Sequence, residues 1–418
     1  MNILFLTENF PPETNAAATR VYERALYWAK AGHRVTVLTC APNFPQGRLY
    51  PGWENPWRQV QDMDGIRVVR VKTYISANEG FAKRTADFVS FMITAFGAGL
   101  FESRPDVVVA TSPQFFAAVG GWALGAVRRV PFVFELGDLW PRSITAVGAM
   151  RESPVIRALE KLELFLYRRS AAIVALTRAF KADLVRRAIP PEKIAVVING
   201  VDLPRYAPRP RDADLAAQWG LTGKFVLGYV GTHGMAHGLI NVLDAAERLR
   251  TDDRIRFLFV GAGAERQMLM DETVRRALPN VVFQGMQPKE MMPRVWSLCD
   301  AALVHLKDDP TFAEVIPSKI FEAMGMGLPI ILAAPAGEAS RIIAEDGAGL
   351  WVPAARPQQL ADAASRLSAD AGLLKSLSCA SLAAAPNHSR EYQAKRFLDV
   401  LALVTAGTSR RQAGFIES

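Results

Sequence analysis

Short runs rich in Val, Ile and Phe recur along the whole chain, each followed by a stretch with helical spacing. In the first half they are "NILFLTE", "HRVTVLTC", "DVVVATS", "PFVFEL", "AAIVALT" and "IAVVING". Helices are expected over Thr19–Lys30, from Phe115, over Pro154–Arg169 and from Arg178, with a hairpin around Met63–Tyr74. The second half repeats the alternation with "FVLGYVG", "RFLFVGAG", "VVFQG", "AALVHL", "PIILAA" and "GLWVP". Strands this apolar on both faces must be covered by helices on both sides, so the pattern specifies mostly parallel, doubly wound sheets. Between the halves, "DLPRYAPRPRDAD" is rich in proline and charge and has no sustained period. It reads as a linker. The expected fold is therefore α/β: two Rossmann-like domains, 1–203 and 204–385, then a last helix over 388–404 and a polar tail. Two such domains facing each other would set strand ends and helix N-termini around a shared cleft, where ligands of these sheets bind.

Composition narrows the function. Half of the 418 residues are hydrophobic, which excludes a disordered chain. The 49 basic and 41 acidic residues give +8, which suits an anionic partner such as a nucleotide, a phosphorylated lipid or a membrane surface. Basic residues occur in scattered pairs without a stripe or an aromatic-studded motif, so nucleic acid is not expected. Cys40, Cys299 and Cys379 lie far apart with no metal-ligand spacing, and no Asp-x-Asp motif sits at a strand end; neither a metal nor a disulfide framework is expected. The opening "MNILFLTENFPPE" starts a strand at once and lacks signal-peptide features, so a cytoplasmic location is expected. The 14-residue run Phe88–Phe101 is too short to span a bilayer, for which about 20 residues are needed. It is either a core helix or one lying in a membrane interface.

The segment "EVIPSKIFEAMGMGLPI", Glu314–Ile330, places two glutamates eight positions apart. Pro317 and Ser318 read as a helix start, and Gly325, Gly327 and Pro329 as its end, so only Glu322 stands on the helix. Glu314 belongs to the approach loop. With Lys319 between them, the two carboxylates frame the positive end of a helix, a ready site for phosphate; a solvated, capped surface helix has the same pattern.

Other loops after strands carry polar or small residues. In "YVGTHGMAHG", Gly231 and Gly234 let backbone N–H groups approach an anion, with Thr232 between them, while His233 and His237 can donate to the same phosphate or merely satisfy loop carbonyls. "VGAGAER" lacks the third glycine of a dinucleotide fingerprint and reads as a tight strand-to-helix turn. Asn199 and Gly200 in "VINGVD" read as a turn with left-handed backbone. "FELGDLWPRS" sets Asp138 and Arg142 just past a strand end, as ligand or acceptor contacts or as a capped turn. In "ENFPPETNAAATR" the small residues from Asn15 and Ala16 onward leave room for a ligand at a helix N-terminus, or allow close helix-to-sheet packing.

Taken together, "ENFPPE", "GHRVTVLT", "INGVD", "YVGTHGMAHG", "VGAGAER", "VFQGMQ" and "EVIPSKIFEAMGMGLPI" resemble the retaining glycosyltransferases of family 4, which have the GT-B fold. Within that family the chain is most similar to the bacterial surface-polysaccharide branch with its N-acetyl-L-fucosamine transferases. The resemblance implies an acceptor-binding first domain, a nucleotide-sugar-binding second domain, and a last helix crossing back to the first. It implies that Glu322 holds the ribose hydroxyls, that Glu314 contacts the donor sugar near the reacting face, with Asp138 a further catalytic candidate although Gly137 stands where the family often has a histidine, and that the helix N-terminus at Ser318, Lys319 and Ile320 binds the diphosphate. Gly285, Met286 and Gln287 would border the base. An arginine and a lysine common in the family are replaced here by Thr232 and His237, so the helix dipole, His233, His237 and Lys319 would have to supply the positive field. No cofactor is implied. The expected partners are a UDP-sugar donor and a polyprenyl-diphosphate-linked acceptor, met at the inner face of the cell membrane through peripheral contact. The alternatives are a nucleotide-sugar epimerase on the same fold and a non-catalytic nucleotide-sugar binding module.

Overall fold

A computed structural model describes residues 1–75, 81–112, 115–139 and 154–413. Contacts divide the chain into two compact units, Met1–Ile198 with Gln393–Ser418, and Asn199–Tyr392. The first division falls before the linker because Asn199–Asp202 already belong to the second unit. Val201 N donates to His388 O and Arg390 N to Val201 O, both at 2.9 Å. A Cβ on Gly200 would lie 2.7 Å from Arg390 N, and its φ is outside the left-handed range. Gly200 thus serves a close backbone approach, not the left-handed turn expected of it.

In the first unit, described strands β1 (Asn2–Leu6), β2 (Arg34–Cys40), β3 (Arg58–Met63), β4 (Ile66–Val71), β5 (Val107–Thr111), β6 (Phe132–Leu136), β7 (Ala172–Ala175) and β8 (Ile194–Val196) form one sheet in the order β3-β4-β2-β1-β5-β6-β7-β8. All pairings are parallel except the β3–β4 hairpin, which begins earlier than the sequence suggested and turns at Asp64 and Gly65, both with positive φ. Alternate residues of each strand point to opposite faces, so Leu4, Leu6 and Val108 enter one core with Phe91, Phe134 and Tyr167, while Ile3, Phe5 and Val107 enter another with Trp28 and Phe397. Helix Ala16–Lys30 buries Ala18, Val21, Ala25 and Trp28, a stripe at helical spacing, and Asn15 caps it by accepting from Ala18 N at 2.9 Å.

The run Phe88–Phe101 lies in helix Phe81–Phe101. Phe91 and Ala95 are buried in the core, whereas Ile93 and Phe101 are exposed. Among the described residues no helix is long and apolar enough to cross a membrane. The last helix, Arg390–Ala413, is longer than expected; from Gln393 on it belongs to the first unit, where Trp28 Nε1 donates to Ala394 O at 2.9 Å and Phe397 packs on Trp28.

The second unit's described strands are β9 (Phe225–Val230), β10 (Ile255–Val260), β11 (Val281–Gln284), β12 (Ala301–His305), β13 (Ile330–Ala333) and β14 (Gly349–Val352), all parallel, in the order β11-β10-β9-β12-β13-β14. The order reverses between β9 and β12. In an open α/β sheet that reversal opens a crevice at the carboxyl ends of the two strands.

Candidate active site

A pocket of about 470 Å³ lies within the second unit at that crevice, lined by Tyr206, Val230, Gly231, Thr232, His237, Gln287, Lys289, Met292, Pro317, Ser318, Lys319 and Glu322. Three loops build it. One follows β9, one follows β11, and the third leads from β12 into the short helix Lys319–Gly325.

That helix begins one residue later than the sequence suggested: Ser318 is its N-cap and makes no side-chain capping bond. Glu314 closes the 3₁₀ turn Pro310–Glu314, half-buried and outside the pocket lining. A Cβ on Gly337 would come within 2.0 Å of the neighbouring Ala313 carbonyl, so this turn is pressed against the start of helix Glu338–Asp346. Ile320, part of the helix N-terminus expected at the diphosphate, has its side chain fully buried and absent from the lining, because the next residue after Lys319 points about 100° round the helix into the core.

Lys319 is the principal charge of the pocket. It is 9% exposed, its ammonium stands 3.9 Å from the centroid of the Tyr229 ring, and among the described residues no carboxylate reaches ion-pair distance. Burial pulls its pKa down to about 7, partly opposed by Glu322. Gly231 has φ +144°, a backbone conformation that favours glycine, and a Cβ there would lie 2.9 Å from Nζ and push the ammonium aside. Glu322, one turn into the helix, is pushed above the usual carboxylate range by burial, against Trp296 Nε1 donating at 3.2 Å and the charges of Lys319, Arg390 and Lys289.

The histidines separate. His233, expected to donate to a phosphate, does not line the pocket. Its ring is fully buried among Tyr229, Phe259 and Phe283, neither ring nitrogen has a hydrogen-bond partner, and burial with the nearby Arg266 and Lys319 holds its pKa down at about 4. Only its backbone acts in the loop, where Glu265 N donates to His233 O at 3.0 Å. His237 does line the pocket. Burial and Lys319 keep it neutral, with a pKa of about 4, and its Nδ1–H points to the backbone carbonyl of His305 at 3.4 Å, the second of the two expected roles, which leaves Nε2 an acceptor that cannot donate to a phosphate. His305, which the sequence reading missed, returns a bond from Nδ1 to His237 O at 2.6 Å and ties the β9 loop to the end of β12. A strand-end histidine 68 residues away in sequence carries no local signal of this pairing.

Thr232 lines the pocket and its carbonyl accepts from Tyr229 OH at 2.7 Å. Gly234 stands off the lining at the N-cap of a 3₁₀ turn. Of the residues expected at the base, Gln287 lines the pocket; Gly285 does not, and Met286 is 78% exposed. The tight-turn reading of "VGAGAER" gains a cause. Cβ atoms on Gly261 and Gly263 would lie 2.0 Å from Gly231 O and 2.3 Å from His233 O, so these glycines let the β10 loop pack under the β9 loop. Tyr206, Lys289 and Met292 complete the wall and carried no motif. Among the described residues no group of three His, Cys, Asp or Glu is placed to hold a metal ion.

In the first unit Asn15 is a helix cap and Ala16 the first helical residue. Asp138 follows β6, with Ser112 Oγ accepting from Gly137 N at 2.9 Å and Asp138 N at 3.2 Å. Arg142 lies outside the described residues.

Two doubly wound domains, the second with an anion-suited pocket at its switch point, give the architecture of the GT-B type. Residues 15–200 match the family described as Glycosyl transferase 4-like domain, and residues 224–370 match Glycosyl transferases group 1; the chain belongs to these glycosyltransferases. It is 25% identical over 345 residues to the putative colanic acid biosynthesis glycosyl transferase WcaI of Escherichia coli, covering 80% of this chain and 84% of the relative. It is 27% identical over 355 residues to a GDP-mannose-dependent alpha-mannosyltransferase of Mycobacterium tuberculosis, covering 84% of each. Its fold is similar to that of the Anabaena protein HepE, solved in complex with UDP, with a TM-score of 0.71 at 19% identity over 96% of this chain and 100% of that one.

Proposed function

We propose that this glycosyltransferase moves a UDP-activated amino sugar, of the N-acetyl-L-fucosamine kind, to a polyprenyl-diphosphate-linked saccharide during bacterial surface-polysaccharide assembly, with retention at the anomeric carbon. The observation that carries the reading is Lys319: a buried ammonium without an ionic partner, facing a pocket between the β9 loop and the helix that bears Glu322. A nucleotide diphosphate supplies the missing charge. The ribose hydroxyls would reach Glu322, and the base would lie toward Gln287 and Met292. Glu314 is assigned to the donor sugar by family resemblance. A relative named for colanic acid biosynthesis supports the surface-polysaccharide setting, and the UDP complex of HepE supports a UDP-linked donor.

The C1–O bond to the diphosphate breaks with its electron pair leaving on UDP. The acceptor hydroxyl oxygen then bonds to C1 from the same face, and its proton passes to the departing phosphate oxygen. Lys319 stabilises the charge that grows on the diphosphate, an interaction stronger in the transition state than in the bound donor. Exposed Ile93 and Phe101 on the helix Phe81–Phe101 would meet the membrane face where the acceptor lies.

The test is a panel of UDP- and GDP-sugars, scored for nucleotide release with and without a polyprenyl diphosphate saccharide. Acceptor-dependent release from a UDP-amino sugar supports the reading. Release of GDP from GDP-mannose instead moves the donor to that of the mycobacterial relative, sugar interconversion without acceptor indicates an epimerase, and tight UDP binding without turnover indicates a binding module.

A further inference from the structure

The first unit holds a separate excess of positive charge. Glu135, the fourth residue of β6, is fully buried. Burial would raise its pKa, but Arg24 and Arg20 together hold it below the usual carboxylate range. Arg24 Nη1 donates to Glu135 Oε1, and Arg20 Nε lies 3.2 Å from the same oxygen. Two guanidinium groups thus share one carboxylate, and among the described residues neither has a second acid within ion-pair distance.

The two arginines differ in what covers them. Arg24 is 5% exposed and its guanidinium lies 4.6 Å from the Phe397 ring centroid. Arg20 is turned toward the strand ends: Nη2 reaches Thr111 Oγ1 at 3.4 Å, and a Cβ on Gly137 would lie 2.9 Å from it. Thr111 ends β5 and Gly137 follows β6. Arg20 itself stands on the helix that follows β1, and its head lies at the carboxyl ends of β5 and β6, next to the β1–β5 pair where the first sheet's order reverses. The start of that helix carries no acidic residue. A nearly buried excess cation is costly unless an anion meets it, and the planar fork of arginine matches phosphate.

We propose that Arg20 forms, at the carboxyl ends of β5 and β6, a second anion site that takes a phosphate group of the acceptor. The proposal rests on the glycosyltransferase reading only in naming the acceptor as the bearer of the phosphate. A purely structural Arg20 would tie its helix to β6 and bind nothing.

The test uses the full chain with UDP at saturation, so that the pocket of the second unit is filled. Sodium diphosphate is then titrated calorimetrically. The parent protein is expected to bind it, and Arg20→Gln and Arg20→Lys to weaken that binding about tenfold or more with UDP affinity unchanged, since a charge-assisted bidentate contact is lost in each. Phosphatidylcholine vesicles with and without polyprenyl diphosphate identify the source: Arg20-dependent co-sedimentation with the loaded vesicles assigns the phosphate to a lipid, and a response to soluble diphosphate alone assigns it to a free anion. The proposal is overturned if the parent binds no diphosphate beside UDP, or if both variants bind it as the parent does. Should UDP itself fail to bind, the UDP-donor reading falls, and the Arg20 site is then read by comparing Lys319→Gln with the Lys319→Gln, Arg20→Gln double variant.

Discussion

The ammonium of Lys319 lies over the face of Tyr229, 3.9 Å from the ring centroid, and its nearest acid, Glu322 one turn on, stays beyond ion-pair distance. The ring partly compensates the charge and leaves the N–H donors open to the pocket. Lys319→Gln removes the charge at nearly constant volume. UDP affinity measured by calorimetry is expected to fall about 10- to 100-fold, the equivalent of a charge-assisted bond worth roughly 1.5–3 kcal/mol.

The same amine sets a pH dependence. With a pKa of about 7 it is an ammonium below that pH and a neutral amine above it. UDP binding favours the ammonium, so affinity should fall as pH rises above about 7, and binding at pH 8 should take up a proton, visible as a dependence of binding heat on buffer ionisation enthalpy. Stability without ligand runs the other way. An unfolded lysine titrates near 10.4, so between about 7 and 10 the unfolded chain holds the extra proton and this group's contribution to stability rises with pH.

Trp296→Phe tests the support of Glu322. The indole is fully buried and its N–H is the side-chain donor to that carboxylate. Losing it leaves a buried acceptor unsatisfied, so thermal unfolding should show a loss of about 1–3 kcal/mol and UDP affinity should drop several-fold. An unchanged UDP affinity would detach Glu322 from nucleotide binding.

Gly263→Ala forces a Cβ to within 2.3 Å of His233 O at φ +156°. Strain of about 1–3 kcal/mol is expected in the unfolding free energy, with the β9 loop displaced and UDP affinity lowered. The matching change at Gly285, where a Cβ meets nothing within 4 Å, should be silent.

Much of this architecture could be read from the chain. Runs such as Val107–Thr111 and Ala301–His305 are buried at every position, and that two-sided burial is what an unbroken apolar run encodes. The helix after Ser318 was legible from Pro317 and the trailing glycines. The pocket was less so, because it is made by contacts between loops distant in sequence. His233 reads as a polar loop residue, yet the packing of the β10 loop beneath it turns the ring into the aromatic core. His305 reads as the end of an apolar strand, yet it holds His237. Tyr206 sits in a stretch that reads as linker, yet it forms a wall of the site. Lys319 was visible as a charge between two glutamates; that it is buried over Tyr229 depends on Gly231, which comes close to it only in the folded sheet.

The central claim, that Lys319 and its pocket serve transfer from a nucleotide sugar, is tested most directly by acceptor-dependent UDP release from UDP-amino sugars, comparing the parent with Lys319→Gln. The account predicts steady release by the parent when a polyprenyl diphosphate saccharide is present, and a kcat reduced about 100-fold or more in the variant, as expected when a group stabilising the leaving charge is lost. Equal turnover by the two proteins, or no release by the parent from any nucleotide sugar offered with that acceptor, would contradict it.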